Sequence, residues 1–163
     1  MSLDRGSKPK YDASPYRFGI AAARFNEELV DALLNDCLAT MMLAGVPKES
    51  IKVMRVPGSA ELPHVANLMA NSADFDAVVV LGVVIAGETP HHMIIGNSTA
   101  VALQKVAIEN QLPVINGIIV AQNREQAAER ATGSIRRGVE FAEAALEMAC
   151  ITDDFLCEYS DGE

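Results

Sequence analysis

Short runs of apolar residues alternate along this chain with longer segments in which apolar residues recur at helical spacing. Apolar runs rich in valine and isoleucine are typical of strands that are buried on both faces of a parallel sheet. These runs predict four strands, at Arg17–Ala23, Ile51–Val56, Ala77–Ile85 and Pro113–Val120. The helical spacing predicts five helices, over residues 26–45, 59–70, 90–110, 124–131 and 134–149.

Alternating strands and helices predict a parallel sheet that is covered by helices on both faces through right-handed crossovers. We expect one α/β domain over residues 17–150, with a three-layer flavodoxin-like fold and a four-stranded parallel sheet in the strand order 2-1-3-4. Residues 1–16 are polar and contain two prolines, so they are expected to form an extended, poorly ordered arm. Residues 151–163 are acidic and are expected to form a loose tail.

Net charge, apolar run length and cysteine spacing argue against several kinds of binding partner. The formal net charge is −9, which argues against general nucleic-acid binding because such binding needs a basic surface to neutralise phosphates. The longest apolar run is too short to span a bilayer, and the N-terminus lacks the apolar segment of a secretory signal. We therefore expect a cytoplasmic protein without a membrane partner. The three cysteines form no CxxC pattern, so no redox or metal role is expected for them.

Four loops follow the carboxyl ends of the predicted strands, at Ala23–Asn26, Pro57–Glu61, Ile85–His91 and Val120–Asn123. Ligands of open parallel sheets bind at that edge, so these loops are the expected binding region. In the first loop, Asn26 is expected to cap the helix that follows. No GxGxxG or GxxxxGK[ST] motif is present, which argues against dinucleotide or P-loop nucleotide binding.

The third loop combines a helix start with a histidine. Thr89 is a favourable N-cap and Pro90 a favourable first helical residue, which places His91 and His92 in the first turn. Unpaired backbone N–H groups at a helix N-terminus bind anions, and imidazole titrates near neutral pH. The residues alone therefore predict an α/β enzyme that binds a small anionic molecule at a helix N-terminus.

Each candidate residue also has a structural interpretation when it is considered alone. Phe25 is either an exposed aromatic that stacks on a planar ring or a core residue that closes the first helix. Glu61 alone is better interpreted as a partner of the helix dipole. His91 alone is either a helix-start residue or a catalyst, whereas His92 and His64 are interpreted as surface or packing residues.

Five segments of the chain occur together in the order and with nearly the spacing of one enzyme family. They are ARFN (Ala23–Asn26), VPGSAELP (Val56–Pro63), DAVVVLGVVIAGETPH (Asp76–His91), NGIIVAQNREQAAER (Asn116–Arg130) and RRGVEFAEAALEMA (Arg136–Ala149). One of these motifs would carry little weight, but five in register are specific. On these motifs the chain resembles the lumazine synthases, which catalyse the penultimate step of riboflavin biosynthesis.

The resemblance implies an enzyme that joins 5-amino-6-(D-ribitylamino)uracil to 3,4-dihydroxy-2-butanone 4-phosphate. The products would be 6,7-dimethyl-8-ribityllumazine, phosphate and water, formed through a Schiff base, phosphate elimination and ring closure. No cofactor and no metal are implied. The implied partners are the two small substrates and further copies of the chain, in a homopentamer or an assembly of pentamers with sites between subunits.

The resemblance also implies roles for the residues that react with or enclose the substrates. Phe25 would stack on the pyrimidine ring, and His91 would be the general acid/base. Arg130 would pair with the phosphate, and both Asn116 and Arg130 would reach the pocket from a neighbouring subunit. Ala60 would lie against the ring at a position where the family usually carries an aromatic residue.

Further contacts implied by the resemblance come from two loops and the end of a strand. Ser59 and Glu61 would hold the ribityl chain, and backbone groups of Val84 and Ile85 would bind the edge of the pyrimidine. The phosphate would be held by backbone amides at the helix start, at Gly87, Glu88 and Thr89.

The chain departs from the family pattern at two ring-binding positions. Ala60 stands for the usual aromatic residue, and Asn116 for a phenylalanine that helps to enclose the pyrimidine. The loop Ala131–Arg137 also lacks the GTKAGN-like sequence of family members that form icosahedral cages. Two alternatives therefore stay open beside a lumazine synthase: a non-catalytic flavin- or lumazine-binding member and an archaeal-type riboflavin synthase. Pentamer and 60-subunit shell likewise both stay open.

Overall fold

Four parallel strands form one sheet in the computed structural model, which describes residues 12–160. The strands are β1 (Phe18–Ala23), β2 (Ile51–Val56), β3 (Ala77–Ile85) and β4 (Val114–Ala121). Their order is β2-β1-β3-β4, and each neighbouring pair is parallel. The predicted fold class and strand order are therefore confirmed.

Five α-helices lie in the described part of the chain and cover both faces of the sheet. They are α1 (Glu27–Leu43), α2 (Leu62–Ala70), α3 (His91–Asn110), α4 (Arg124–Ala131) and α5 (Arg137–Ser160). Short 3₁₀ helices precede β2 at Lys48–Ser50 and α2 at Ser59–Glu61. Helices α1, α4 and α5 pack on one face, and α2 and α3 pack on the other. None of the helices within residues 12–160 is both long and apolar enough to cross a membrane.

The two central strands, β1 and β3, are the most deeply buried part of the sheet. Every residue of β1 is buried, and so are the first seven residues of β3. Ile20 and Val79 belong to the cluster under α1 and α5, whereas Val78 and Val80 belong to the cluster under α2 and α3. Because both faces of these strands are apolar and covered, polar groups that meet a ligand must come from beyond the strand ends.

The structure differs from the sequence prediction at the starts of two helices. Helix α3 begins at His91 with Pro90 in the capping position, so the prediction that Thr89 caps it is wrong. The carbonyl of Pro90 accepts the N–H of Met93 at 3.0 Å, which leaves Thr89 outside the helix. Asn26 occupies the N-cap position of α1, as predicted, but its side chain makes no capping bond.

Helix α5 is longer than expected. It continues to Ser160, so the prediction of a loose tail is wrong for residues 151–160. This segment contains neither glycine nor proline, and the backbone hydrogen bonds of the helix therefore continue without interruption. Residues 161–163, the remainder of the predicted tail, lie outside the described residues.

The described end of the predicted N-terminal arm also packs on the domain. Ala13 and Tyr16 are buried, so the expectation of a poorly ordered arm is wrong for residues 12–16. The Tyr16 hydroxyl donates to Oδ2 of Asp153 on α5 at 3.2 Å. Burial, with Cys150 and Asp153 nearby, raises the pKa of the Tyr16 phenol above its usual range. The rest of the predicted arm, residues 1–11, lies outside the described residues.

Gly117 in β4 permits close packing against the central strand. A Cβ atom here would lie 2.5 Å from the carbonyl oxygen of Val80 and 2.8 Å from Cδ2 of Leu81. The first neighbour is backbone in β3 and cannot move aside without disturbing the pairing of the strands. By contrast, a Cβ atom at Gly87 would have no neighbour within 4 Å.

We expect Gly117→Ala to lower the free energy of unfolding by about 1–3 kcal/mol, because the added methyl group overpacks the sheet. Gly87→Ala, the matched control, is expected to change it by less than about 0.5 kcal/mol. Urea unfolding followed by circular dichroism measures both values. Equal stability of the two variants would contradict this account of the packing.

Candidate functional site

A pocket of about 390 Å³ lies at the carboxyl ends of β1, β2 and β3, beside the first turns of α3. It brings together predicted site residues from three loops: Phe25, Ser59, Ala60, Glu61, Val84, Ile85 and His91. It is also lined by residues that the sequence did not single out as site residues: Asn26, Gly58, Val83 and Ile95.

Phe25 presents an exposed aromatic ring at the mouth of this pocket. Its exposed fraction is 74%, so the alternative of a core phenylalanine is wrong. The backbone around it is tied to the end of β2, because Arg24 N–H donates to Val56 O at 2.8 Å and Phe25 N–H donates to Pro57 O at 3.2 Å. The ring is therefore exposed while its backbone is held in place.

Asn26 connects this loop to the end of β3. Its backbone is left-handed (φ 55°), a conformation that asparagine tolerates better than most residues do. The side-chain Nδ2 donates to the carbonyl oxygen of Val83 at 2.8 Å. The left-handed backbone also differs from the extended one that is typical of a side-chain N-cap, and Asn26 makes no capping bond to α1. The sequence placed Asn26 in a loop expected to bind a ligand. It did not indicate that the side chain bonds to β3.

The loop after β2 places a serine and a carboxylate in the pocket wall. Ser59 is buried against Gly82 of β3, where a Cβ atom would lie 2.5 Å from the Ser59 Oγ. Glu61 is exposed, and its Oε2 accepts the N–H of Gly58 at 2.8 Å. The helix-start role considered for Glu61 is thus present, and its carboxylate also lines the pocket.

His91 is the first residue of α3 and lies exposed in the pocket wall. Ile95, one turn later on the same helix face, also lines the pocket. The loop residues that the sequence assigned to an anion are exposed but do not line it: Gly87, Glu88 and Thr89. Only Pro90 separates them from His91 in the chain, so an anion bound there would adjoin the pocket.

His92 contributes nothing to the wall of this pocket. It is half-buried, and within residues 12–158 its Nδ1 is the buried side-chain nitrogen that has no hydrogen-bond partner. It is absent from the residues that line the pocket. The described residues also contain no group of three or more His, Cys, Asp or Glu side chains that could hold a metal ion.

Asn116 and Arg130 do not line the pocket of their own chain. Asn116 is an exposed residue of β4, and its Oδ1 accepts the N–H of Ile118 at 3.1 Å. Arg130 lies in the last turn of α4, where Nη1 donates to Gln126 O at 2.9 Å. The single chain therefore assembles only part of the predicted site.

The pocket combines groups suited to bind and transform a small planar molecule. It offers an exposed aromatic ring, a carboxylate, an imidazole and backbone groups at the end of β3. Aromatic stacking recognises a flat ring, and carboxylate oxygens accept hydrogen bonds from hydroxyl groups. Imidazole is the side chain that most often transfers protons in enzyme catalysis. This chemistry fits proton-transfer catalysis on a ring that carries polar substituents.

Comparisons with known proteins agree on one family. The model of the 6,7-dimethyl-8-ribityllumazine synthase family matches residues 15–153. A protein of that name from Polaromonas sp. (strain JS666) is 36% identical over 154 residues, which cover 94% of this chain and 98% of the relative. The same coverage is found with relatives of that name from Acidovorax sp. (strain JS42), at 35% identity, and Paracidovorax citrulli (strain AAC00-1), at 33%.

The Asn26 contact can be separated into its backbone and side-chain parts. Asn26→Gly keeps the left-handed backbone accessible and removes the bond to Val83, so the free energy of unfolding should fall by about 0.5–1.5 kcal/mol. Asn26→Ala should lose about 1 kcal/mol more, because a Cβ without a local polar partner disfavours this conformation. Chemical denaturation measures both. Asn35→Ala, on the exposed face of α1, is the control and should cost no stability because alanine favours helix. An alanine variant at position 26 as stable as the glycine variant would contradict the backbone part.

Proposed function

The chain belongs to the 6,7-dimethyl-8-ribityllumazine synthase family, and we propose that the pocket beside Phe25 and His91 is where it carries out that reaction. The enzyme condenses 5-amino-6-(D-ribitylamino)uracil with 3,4-dihydroxy-2-butanone 4-phosphate to 6,7-dimethyl-8-ribityllumazine, with release of phosphate and water. The observation that carries the proposal is the convergence of Phe25, Glu61 and His91 on one pocket, in a chain that matches the family over residues 15–153.

In this proposal, the pyrimidine lies with one face on Phe25. The exposed ring on a tethered loop supports this role. Backbone groups of Val84 and Ile85 bind the edge of the pyrimidine, and Ser59 and Glu61 bind the ribityl hydroxyls. All of these residues line the same pocket, which supports binding of one extended molecule along it.

Two positions make this ring site less aromatic than the family pattern. Ala60 lines the pocket where an aromatic is usual, and Asn116 replaces a phenylalanine. The loss of an aromatic pair weakens binding by about 0.5–1.5 kcal/mol beyond the lost area. We infer that Phe25 carries most of the stacking energy in this enzyme.

The second substrate is assigned to the start of α3. Backbone N–H groups of Gly87, Glu88 and Thr89 bind its phosphate, with the favourable end of the helix dipole nearby. The Glu88 side chain must point away from the phosphate for this to work, and its exposure supports such an orientation. His91, next in the chain after Pro90, moves protons during Schiff-base formation, phosphate elimination and ring closure.

Arg130 and Asn116 are assigned to the site of a neighbouring copy. Neither lines the pocket of its own chain, which supports their contribution across an interface. Helix α3 also exposes apolar side chains, with exposed fractions of 55–77% at Met93, Ile94, Val101 and Ile108. Exposed apolar surface of this kind typically lies at protein interfaces. These observations support a homo-oligomer whose active sites lie between subunits, and we propose the pentameric type that the resemblance to the family implies.

The direct test of the reaction uses the purified protein and both substrates. Lumazine fluorescence and phosphate release should rise together, well above the uncatalysed condensation. His91→Gln should lower kcat by about 10²-fold, because it removes the general acid/base.

Each alternative function has its own result in this assay. A yellow protein that retains riboflavin and makes no lumazine would support a non-catalytic flavin-binding member. Formation of riboflavin from lumazine, without the butanone phosphate, would support a riboflavin synthase. Either result would overturn the proposed reaction.

The proposed phosphate contact predicts a selective effect of Arg130→Ala. The KM for the butanone phosphate should rise by about tenfold or more, since a hydrogen bond to a charged group contributes about 1.5–3 kcal/mol. The KM for the pyrimidine should stay within about twofold. Arg124→Ala, an exposed arginine at the start of the same helix, is the control and should leave both values unchanged. Equal increases in both KM values for Arg130→Ala would remove Arg130 from the phosphate.

A further inference from the structure

An ion pair ties the junction of α4 and α5 to helix α1. Nε of Arg136 donates to Oδ2 of Asp36 at 3.0 Å, and Nη2 donates to the other carboxylate oxygen. The Asp36 side chain is only 12% exposed, although it is charged. The hydrogen bonds and the charge of Asp36 raise the pKa of the Arg136 guanidinium. Because this pairing is bidentate, it fixes the orientation of the guanidinium relative to the carboxylate as well as their distance.

The backbone of Arg136 adopts a conformation that arginine rarely takes. Its φ is 48°, in the left-handed region, which costs about 1–2 kcal/mol for an ordinary residue. Such a conformation persists where the surrounding contacts over-determine it. At Arg136 these contacts include the side-chain bonds to Asp36 and the N–H of Val139, which donates to Arg136 O at 3.1 Å.

Two further contacts from the same turn of α1 hold the start of α5. Cys37 Sγ donates to the carbonyl oxygen of Gly138 at 3.0 Å. A Cβ atom at Gly138 would lie 2.5 Å from Leu33 O and 2.7 Å from the Cβ of Asp36. The beginning of α5 is therefore pressed directly onto the backbone of α1.

The other half of the same loop is bound to α4. Ser134 donates through both its N–H (3.2 Å) and its hydroxyl (2.7 Å) to Oε1 of Glu129. Gly133 N–H and the Thr132 hydroxyl both donate to Ala128 O, at 3.0 and 2.9 Å. Glu129 is the chain neighbour of Arg130. The last turn of α4, which carries Arg130, is thus linked to α1 through a short loop that is held at both ends.

We propose that Asp36 and Arg136 are positioning residues for Arg130, setting where its guanidinium is presented to the active site of the neighbouring subunit. This inference rests on the proposed function, because that is where Arg130 acquires its phosphate role. Asp36 and Arg136 touch neither substrate. They hold the loop between α4 and α5 in place, and that loop holds the last turn of α4. The last turn of α4 in turn sets the position of Arg130 at the phosphate.

The first experiment breaks the pair from either side in the assembled enzyme. Asp36→Asn keeps the size of the side chain but removes its charge. Arg136→Asn removes the guanidinium while keeping a residue that tolerates the left-handed backbone. Each variant should raise the KM for the butanone phosphate about three- to tenfold and leave the KM for the pyrimidine within about twofold. Arg136→Lys, which keeps the charge, should restore part of the loss.

A second measurement asks whether the pair acts through Arg130. In an Arg130→Ala background, Asp36→Asn should cause no further rise in the KM for the butanone phosphate. The control is Arg124→Ala, which breaks a different α1–α4 ion pair, with Glu28, at the far end of α4 (2.5 Å). It should leave both KM values unchanged. An Asp36→Asn effect that is equal for both substrates, or that persists without Arg130, would overturn the proposal.

Binding of inorganic phosphate separates this proposal from the proposed reaction. In calorimetry, the unaltered protein should bind phosphate, and Asp36→Asn and Arg130→Ala should each weaken that binding, with no added effect in the double variant. If the unaltered protein binds phosphate in this way but forms no lumazine, the reaction is overturned and the positioning role stands. If it forms lumazine while Asp36→Asn leaves phosphate binding unchanged, the positioning role is overturned and the reaction stands.

Discussion

The parallel pairing of β1 with β3 is the constraint on which the rest of this molecule depends. These strands are buried on both faces, so their residues are apolar and small enough for helices to pack on each side. Chemistry is thereby confined to the segments that follow the strands. Parallel pairing then brings those segments to one edge, where Asn26 after β1 reaches the Val83 carbonyl near the end of β3. The pocket is a direct result of this arrangement.

The parts of the fold that could be predicted from the sequence are those governed by burial. The bounds of β3 and α4 follow from the apolar pattern, because a buried strand and a helix with one buried face show it. Strand β2 is largely exposed or half-buried, and its end was predicted from the Pro57–Gly58 pair that follows it. The cap at Thr89 was wrong, and Asn26 lies at the predicted N-cap without a capping bond, because capping depends on backbone angles and competing partners. The end of α5 was also wrong, since acidic composition suggested a tail where uninterrupted helical bonding prevails.

The candidate site divides in the same way. The strand-end loops were predictable, and Phe25, Glu61 and His91 do meet in one pocket. Ile95 and Val83 were not predicted as site residues, because apolar residues in a helix and a strand have the same pattern as core residues. The Asp36–Arg136 pair joins residues 100 positions apart, and no local pattern indicates such a partner. The interface proposed for Asn116 and Arg130 depends on a second copy, which the pattern of one chain does not describe.

The tethered loop at Phe25 has a consequence for the thermodynamics of binding. Main-chain bonds to Val56 and Pro57, together with the Asn26 side chain, already hold the backbone in the free protein. A ring that stacks on Phe25 then has to order only two side-chain torsions, at a cost of about 0.5–1.5 kcal/mol. Most of the conformational entropy of this contact is lost when the protein folds, before any ligand arrives. Under the proposed function, affinity for a flat molecule is therefore built by preorganisation of Phe25.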